Sequence, residues 1–258
     1  MLIEKKNRPL FSIITVVKNN KPMLKKCLDS IDRLKFRNFE HIIIDGQSND
    51  GTIELIKKNK KINNKYIIEK DRGIYDAMNK GLKIAKGKYI GFLNSDDEYI
   101  TNALNIIKKY INKYNNPDFI FGSVIKGRLI MSGYHPEKIF YKFNIFPSHS
   151  GSFFIKKQTQ DKIGYYDLKF KYSSDYDLIF RLIKRNFFGV CTTHHEVTAN
   201  FNTQGISSKI NFFKKINEER LIRIKNKQNI LFVYLLFLIL IVNKIRNILF
   251  NRKKKTSF

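Results

Sequence analysis

The sequence predicts an α/β fold: a mainly parallel central sheet flanked by helices, followed by a C-terminal helical extension. Three observations carry that prediction. Apolar, β-branched runs recur through the first half of the chain and are continuous rather than alternating, as strands buried on both faces require. Segments of helical periodicity separate them, which implies βαβ units. The runs end in clusters of acids and amides, and open parallel sheets bind ligands beyond the carboxyl ends of their strands.

The elements follow in order. "FSIITVV" (11–17) is the first strand, and Pro22 opens a helical stretch through Ile31. "HIIID" (41–45) is the second strand, followed by "GQSNDGT", a turn-rich loop whose Asp and Ser are placed to cap the next helix. "KYIIE" (65–69) is the third. "IYDAMNKGLKIAKG" (74–87) is a helix with apolar residues at helical spacing, closed by Gly87. "KYIGFL" (88–93) is the fourth strand. After residue 115 the rhythm loosens: strands are expected in "DFIFGSVIKGRLIM" and at 150–157, a helix over 173–186, and a charged helix over 208–227. In the 173–186 helix, Asp175 and Asp177 fall in the first turn and basic residues in the last, an order that suits the helix dipole on structural grounds alone.

Composition narrows the class. The 258 residues are 43% hydrophobic and 14% aromatic, which excludes a disordered chain and allows an ample core. The net charge of +27 favours a polyanionic partner (nucleic acid, an acidic membrane surface or a phosphorylated substrate), or else reflects a Lys-rich composition of solvated side chains. Two cysteines, Cys27 and Cys191, are too few for a disulfide framework and are expected to be small buried hydrophobes. The first apolar run is short and ends in Lys18, so no signal peptide is expected there and the catalytic part is expected in the cytoplasm.

The segment "GFLNSDDEYI" (91–100) is the most telling. A buried strand delivers Asn94, Ser95, Asp96, Asp97 and Glu98 at its end, in a chain otherwise rich in lysine. Carboxylates this close repel one another unless a cation neutralises them or they stay hydrated. "TVVKNN" and "DGQSND" place further acids and amides at the same sheet edge, which makes that edge a site.

Four segments in order, "FSIITVVKNN", "IIIDGQSNDGT", "DRGIYDAMNKGLKIAKGKYIGFLNSDD" and "SSDYDLIFRL", resemble the family 2 glycosyltransferases, inverting enzymes of the GT-A (Rossmann-like) fold. The likeness is to the branch that builds bacterial surface polysaccharides, and it covers roughly residues 9–210. It implies a glycosyltransferase domain over 1–210, and the residues beyond it, 211–258, read from their own composition as a basic, membrane-associating helical extension. By the same resemblance Thr15 and Val16 line the nucleotide base, Asp45 contacts the nucleoside, and Gly46 replaces the family's second acid. Asp71 and Gly73 lie near the donor sugar, Asp96 and Asp97 contact ribose and metal, and His149 contacts the diphosphate or is an ordinary loop histidine. Asp175 matches the catalytic base.

The chemistry accounts for these residue types. A nucleotide-sugar, here expected to be a UDP-sugar, leaves a diphosphate of growing negative charge, which a divalent cation on Asp96 and Asp97 stabilises. Oxygen-only ligands suit magnesium or manganese. Inversion then needs one carboxylate to deprotonate the acceptor hydroxyl, with its pKa raised by burial near a second acid such as Asp177. The acceptor is expected to be a saccharide or lipid-linked saccharide. Two readings from other classes stay open: a catalytically silent scaffold of the same fold, and a basic nucleic-acid-binding protein, which explains the charge but not the acidic strand end. No nucleic-acid partner is expected. A Rossmann dehydrogenase is excluded because no G-x-G-x-x-G follows the first strand. His194, His195 and Glu196 hint at a metal cluster, but adjacent residues on a strand point to opposite faces and cannot easily share an ion. "NTQGISS" (202–208) has the composition of a mobile loop over the site.

The run "ILFVYLLFLILIV" (230–242) is apolar on every face but shorter than the roughly 20 residues that span a bilayer. "NKIRNILF" and "NRKKKTSF" follow it. A buried core helix is one expectation. A second is a helix lying in the interface of an anionic membrane, peripheral or monotopic at the cytoplasmic face of the bacterial inner membrane. A third is a spanning helix over 230–250, which would put Lys244 and Arg246 inside the apolar layer at substantial cost.

Overall fold

A computed structural model of the chain describes residues 8–59, 64–142, 150–203, 205 and 211–255. The first half alternates as expected: β1 (Phe11–Val17), α1 (Lys21–Asp32), β2 (Phe39–Asp45), α2 (Thr52–Lys58), β3 (Asn64–Ile68), α3 (Ile74–Ile84) and β4 (Tyr89–Phe92). Every residue of β1, β2 and β4 is buried, which is why these runs show no alternation. β1 pairs in parallel with β2 and β4, and β2 with β3. Val17 stands opposite Asp45, so the loops after β1 and β2 leave the sheet side by side.

The second half is β5 (Glu98–Tyr99), α4 (Ala103–Lys113), β6 (Phe119–Phe121), β7 (Ser123–Lys126), β8 (Leu129–Met131), β9 (Phe153–Lys156), α5 (Lys157–Ile163), α6 (Ser174–Lys184), β10 (Gly189–Cys191), β11 (Val197–Phe201), α7 (Phe212–Lys225) and α8 (Ile230–Lys255). The central sheet has seven strands in the order β10-β6-β9-β4-β1-β2-β3, parallel except for β9, which runs antiparallel to β4 and β6. A second sheet of four short strands, β5-β11-β7-β8, was not anticipated. Its members are two to five residues long, too short for a periodicity to register.

Core side chains fill both faces of the large sheet. Ile14, Ile42 and Phe92 pack with Met78 and Leu82 of α3 and Phe180 of α6, while Phe11 and Ile13 pack with Cys27 and Ile31 of α1 and Ile107 of α4. Each fully buried Phe or Ile contributes about 2 kcal/mol. Cys27 is a free thiol with no exposure, and burial pushes its pKa far up, so it behaves as the small hydrophobe expected.

The extension divides differently from the expected boundary at 210/211. α7 is part of the folded body: Ile216, Glu219, Ile222 and Arg223 are buried, and Ile222 belongs to the α3–α6 core. α8 is the exposed element, with only 6% of its most apolar 18-residue stretch buried, so a core helix is not what forms.

Gly87 does not close α3, which ends at Ile84. It lies against β1, where a methyl group would overlap the Ser12 amide and the Phe11 carbonyl carbon, and its amide donates to Ser12 Oγ at 2.7 Å. Gly87→Ala should therefore lose about 1–3 kcal/mol of stability in urea unfolding, whereas a mere helix terminator would tolerate alanine.

Candidate active site

The loops at the carboxyl edge of the sheet are stitched together by their own polar groups. Asp45, at the end of β2, is fully buried and accepts from Ser48 N at 2.8 Å and Ser48 Oγ at 2.6 Å. Ser48 Oγ in turn accepts from Asn19 N at 2.8 Å, and Asn19 Oδ1 accepts from Asn49 N at 2.8 Å, which joins the loops after β1 and β2. Asp71 accepts from Gly73 N at 3.0 Å with one oxygen and lays the other over Gly46, where a methyl group would overlap it. The residue in the place of the family's second acid is thus small because the Asp71 carboxylate occupies that space. Gly73, at φ 121°, forms the N-cap of α3 in a backbone conformation that favours glycine. Thr15 and Val16 are interior: the Thr15 hydroxyl meets His41 Nε2 at 2.9 Å, and Val16 joins the apolar core.

The acidic pair follows β4. Asp97 is 1% exposed and Asp96 is half-buried. Burial, with the Asp96 charge beside it, pushes the Asp97 carboxyl up to about 8, and burial also raises Asp96. Asp97 accepts from Asn202 N at 3.1 Å and Asn94 Nδ2 at 3.4 Å. Gly205 sits so close that a methyl there would overlap Asp96 Oδ2. The second sheet explains this closure: β11 pairs antiparallel with β5, directly after Asp97, and carries Asn202 back onto it. Two adjacent carboxylates forced up by burial, Asp97 also by the Asp96 charge, and offering oxygen donors only, fit a hard divalent cation. Among the described residues no third acid, His or Cys completes a cluster, which suits a cation that also takes substrate phosphates and water as ligands.

The third acid comes from α6. Asp175 is partly buried and receives Tyr176 N at 2.8 Å, and the Tyr75 hydroxyl at the start of α3, which donates to Tyr172 O at 3.4 Å, lies close enough to Asp175 to favour its ionised form. Burial raises the Asp175 pKa, and the Tyr75 hydrogen bond opposes that rise. Tyr75 is held by its ring contact with Tyr166 at 5.3 Å, and Tyr166 by Asn79, whose amide bonds both its backbone groups at 2.9 and 3.0 Å. Asp177, expected to assist Asp175, has a structural task instead. It has no exposure and binds Arg181 Nε at 2.8 Å, Lys225 Nζ at 3.0 Å and Asn226 Nδ2 at 3.2 Å, which fastens α6 to the end of α7.

His149 lies outside the described residues, as do residues 204 and 206–208 of the loop predicted over the site. His194 and His195 stand in a turn between β10 and β11 rather than on a strand. His194 Nδ1 pairs with Ser132 Oγ at 3.0 Å, and Glu196 is engaged by Lys109 Nζ at 2.6 Å, Tyr110 Oη at 2.5 Å and Thr193 Oγ1 at 2.9 Å, so His194 and Glu196 have structural partners. A depression lined by Arg8, Leu10, Phe36, Lys88 and Lys108 lies at the amino ends of β1 and β4, away from the acids. Sequence reasoning missed Tyr75, Asn202 and Asn79; Tyr75 stood in the quoted helix with no local sign of its partner.

A parallel sheet whose strand ends carry a buried acid pair, with a further carboxylate on a facing helix, defines a glycosyltransferase of the GT-A fold. The chain belongs to glycosyl transferase family 2, whose model matches residues 12–176. It is 30% identical over 204 residues to a PGL/p-HBAD biosynthesis glycosyltransferase of Mycobacterium bovis (strain BCG / Pasteur 1173P2), covering 76% of this chain and 78% of that protein. The crystal structure of S. aureus TarS 1-349 in complex with UDP-GlcNAc matches with a TM-score of 0.66 at 18% identity, over 82% of this chain and 66% of that one. The mannosyltransferase PcManGT from Pyrobaculum calidifontis, in complex with GDP-Man and Mn2+, matches at 0.64 and 16% identity, over 87% and 66%. The chain spans just under two thirds of either solved protein, and at these identities the likeness is one of fold.

The acid pair predicts a pH-dependent stability. An unfolded Asp titrates near about 3.9, whereas folded Asp97 holds its proton up to about 8. Between those values only the folded state keeps the proton, so the stability of EDTA-treated protein falls as pH rises through the window, by on the order of a few kcal/mol. Manganese should restore it, more strongly at the alkaline end, and Asp97→Asn should flatten the dependence. A melting temperature of the parent protein indifferent to both pH and manganese would contradict the assignment.

Proposed function

We propose that this glycosyltransferase moves a sugar from a nucleoside-diphosphate donor to a hydroxyl of a saccharide or lipid-linked saccharide, with inversion. The process it serves is cell-surface polysaccharide assembly at the cytoplasmic face of the inner membrane. One observation carries the reading: the acids are divided between a buried pair after β4 and a separate carboxylate on α6 held by Tyr75. The solved fold neighbours in complex with UDP-GlcNAc and with GDP-Man and Mn2+ support a nucleotide-sugar donor and a divalent ion. They differ in base, so the fold selects neither, and uridine is taken from the sequence resemblance.

In the proposed step the Asp175 carboxylate takes the proton of the acceptor hydroxyl as its oxygen bonds to the anomeric carbon. The bond from that carbon to the diphosphate oxygen breaks, and its electron pair leaves with the diphosphate. Partial burial makes Asp175 a stronger base than an exposed carboxylate, and Tyr75 keeps it oriented. Asp96 and Asp97 are the residues that would hold magnesium or manganese, which when bound would supply positive charge to neutralise the leaving diphosphate. Asp45, Asp71 and Gly73 shape the donor side from the loops after β2 and β3.

Asp175→Asn should lower transfer by on the order of 100-fold or more while leaving donor affinity nearly unchanged, because the base acts on the acceptor. Asp177→Asn should lower the melting temperature instead. If Asp177→Asn abolishes turnover at unchanged stability and Asp175→Asn is active, the base is misassigned. A silent scaffold would bind donor and turn nothing over.

Tyr75→Phe removes the hydrogen bond that favours ionised Asp175, so the acid limb of the kcat/KM–pH profile should move to higher pH. An unmoved limb would exclude Asp175 as the titrating base.

A further inference from the structure

Helix α8 has two unlike sides. Val233 is fully buried, and Leu236, Phe237, Leu240 and Ile241 are partly covered. On this side Arg220 of α7 lies over the rings of Tyr234 and Phe237 at 5.1 and 5.5 Å, and Lys244 lies over Phe212 at 5.0 Å. These contacts join the start of α8 to the later part of α7 and residue 244 to the start of α7, so the two helices run antiparallel along one another. On the opposite side Leu231, Leu235, Leu238, Val242, Ile245 and Leu249 recur at alternating spacings of four and three residues, each 48–78% exposed. That stripe is about 27 Å long at the rise of an α-helix. Phe213 and Leu221 of α7 are also exposed, at 50% and 42%.

We infer that this stripe is a docking surface for an anionic lipid bilayer, and that α8 lies in the plane of the interface instead of crossing the membrane. Charge identifies the occupant. The helix contains no acidic residue, and its sequence supplies Arg246 and the run Arg252 to Lys255 as cations for anionic headgroups. The pairing with α7 settles the orientation. Half of the fourteen residues of α7 are charged, and a helix of that composition does not enter the hydrocarbon layer. A spanning α8 would have to abandon both the Arg220 and the Lys244 contacts.

The other face of α7 is joined to the segment that carries Asp175. Glu218 accepts from the amides of Lys171 and Tyr172 at 2.9 and 2.8 Å, in the segment that leads into α6, and Lys225 and Asn226 hold Asp177. α7 therefore lies between α8 and the segment that carries Asp175. On the glycosyltransfer reading, on which this step rests, such a position suits an acceptor whose lipid anchor stays in the membrane.

The test uses the full chain with vesicles of phosphatidylcholine, with and without phosphatidylglycerol. The parent protein should sediment with the anionic vesicles, and the triple variant Leu235→Asp, Leu238→Asp, Val242→Asp should bind them at least about tenfold more weakly with an unchanged melting temperature. Dyes on single cysteines introduced by L235C, V242C and L249C should be quenched by brominated lipids at one common shallow depth. Undiminished binding of the triple variant, or equal binding to neutral vesicles, overturns the surface, and depths graded from one dye to the next overturn the in-plane orientation. Thermal stabilisation by UDP-GlcNAc or GDP-mannose with manganese is read separately. If vesicle binding behaves as expected and no nucleotide-sugar stabilises the protein, the glycosyltransfer reading falls and the lipid surface stands.

Discussion

Burying Asp96 and Asp97 side by side is the constraint on which the rest of the catalytic half depends. Like charges in a poorly hydrated place repel: burial raises the pKa of both groups, and the Asp96 charge raises that of Asp97 further. A fold keeps such a pair only if hydrogen bonds or a bound cation offset it. Here the second sheet supplies the first of these. Its strand β11 pairs with β5 immediately after Asp97 and delivers the Asn202 amide to the carboxylate. The cation, in the proposed function, supplies the second.

The other side of the site rests on helices in place of strand ends. α3 packs on the central sheet and offers Tyr75 at its start, next to Asp175 at the start of α6. Asp177, two residues on, is tied to Arg181 and α7, and this fixes the pitch of α6. Two acids of one short motif therefore have separate duties. The reason is positional: residues two apart on a helix face different surroundings, one a partly open site and the other the buried seam with α7.

The net charge of +27 acquires a local meaning from the same arrangement. Arg246 of α8 accompanies an apolar stripe, and α7 carries that helix on one face and the segment leading into Asp175 on the other. In the proposed function and with the inferred lipid surface, membrane attachment and acceptor chemistry would be linked through a single element.

The sequence by itself determined the continuous strands β1, β2 and β4, the acid cluster after β4, and the family. Those are local properties, since burial on both faces shows as an unbroken apolar run and a motif is a short string. Tertiary structure alone decided which groups meet. Asn202 reaches Asp97 across 105 positions, Asp177 meets Lys225 across 48, and Glu218 grips the Lys171 amide across 47. The turn at His194 and His195, the close approach of Gly87 to β1 and the docking of α7 belong with these. Each depends on a partner brought near by the packing of other elements, and neither residue of such a pair carries a local periodicity that names the other.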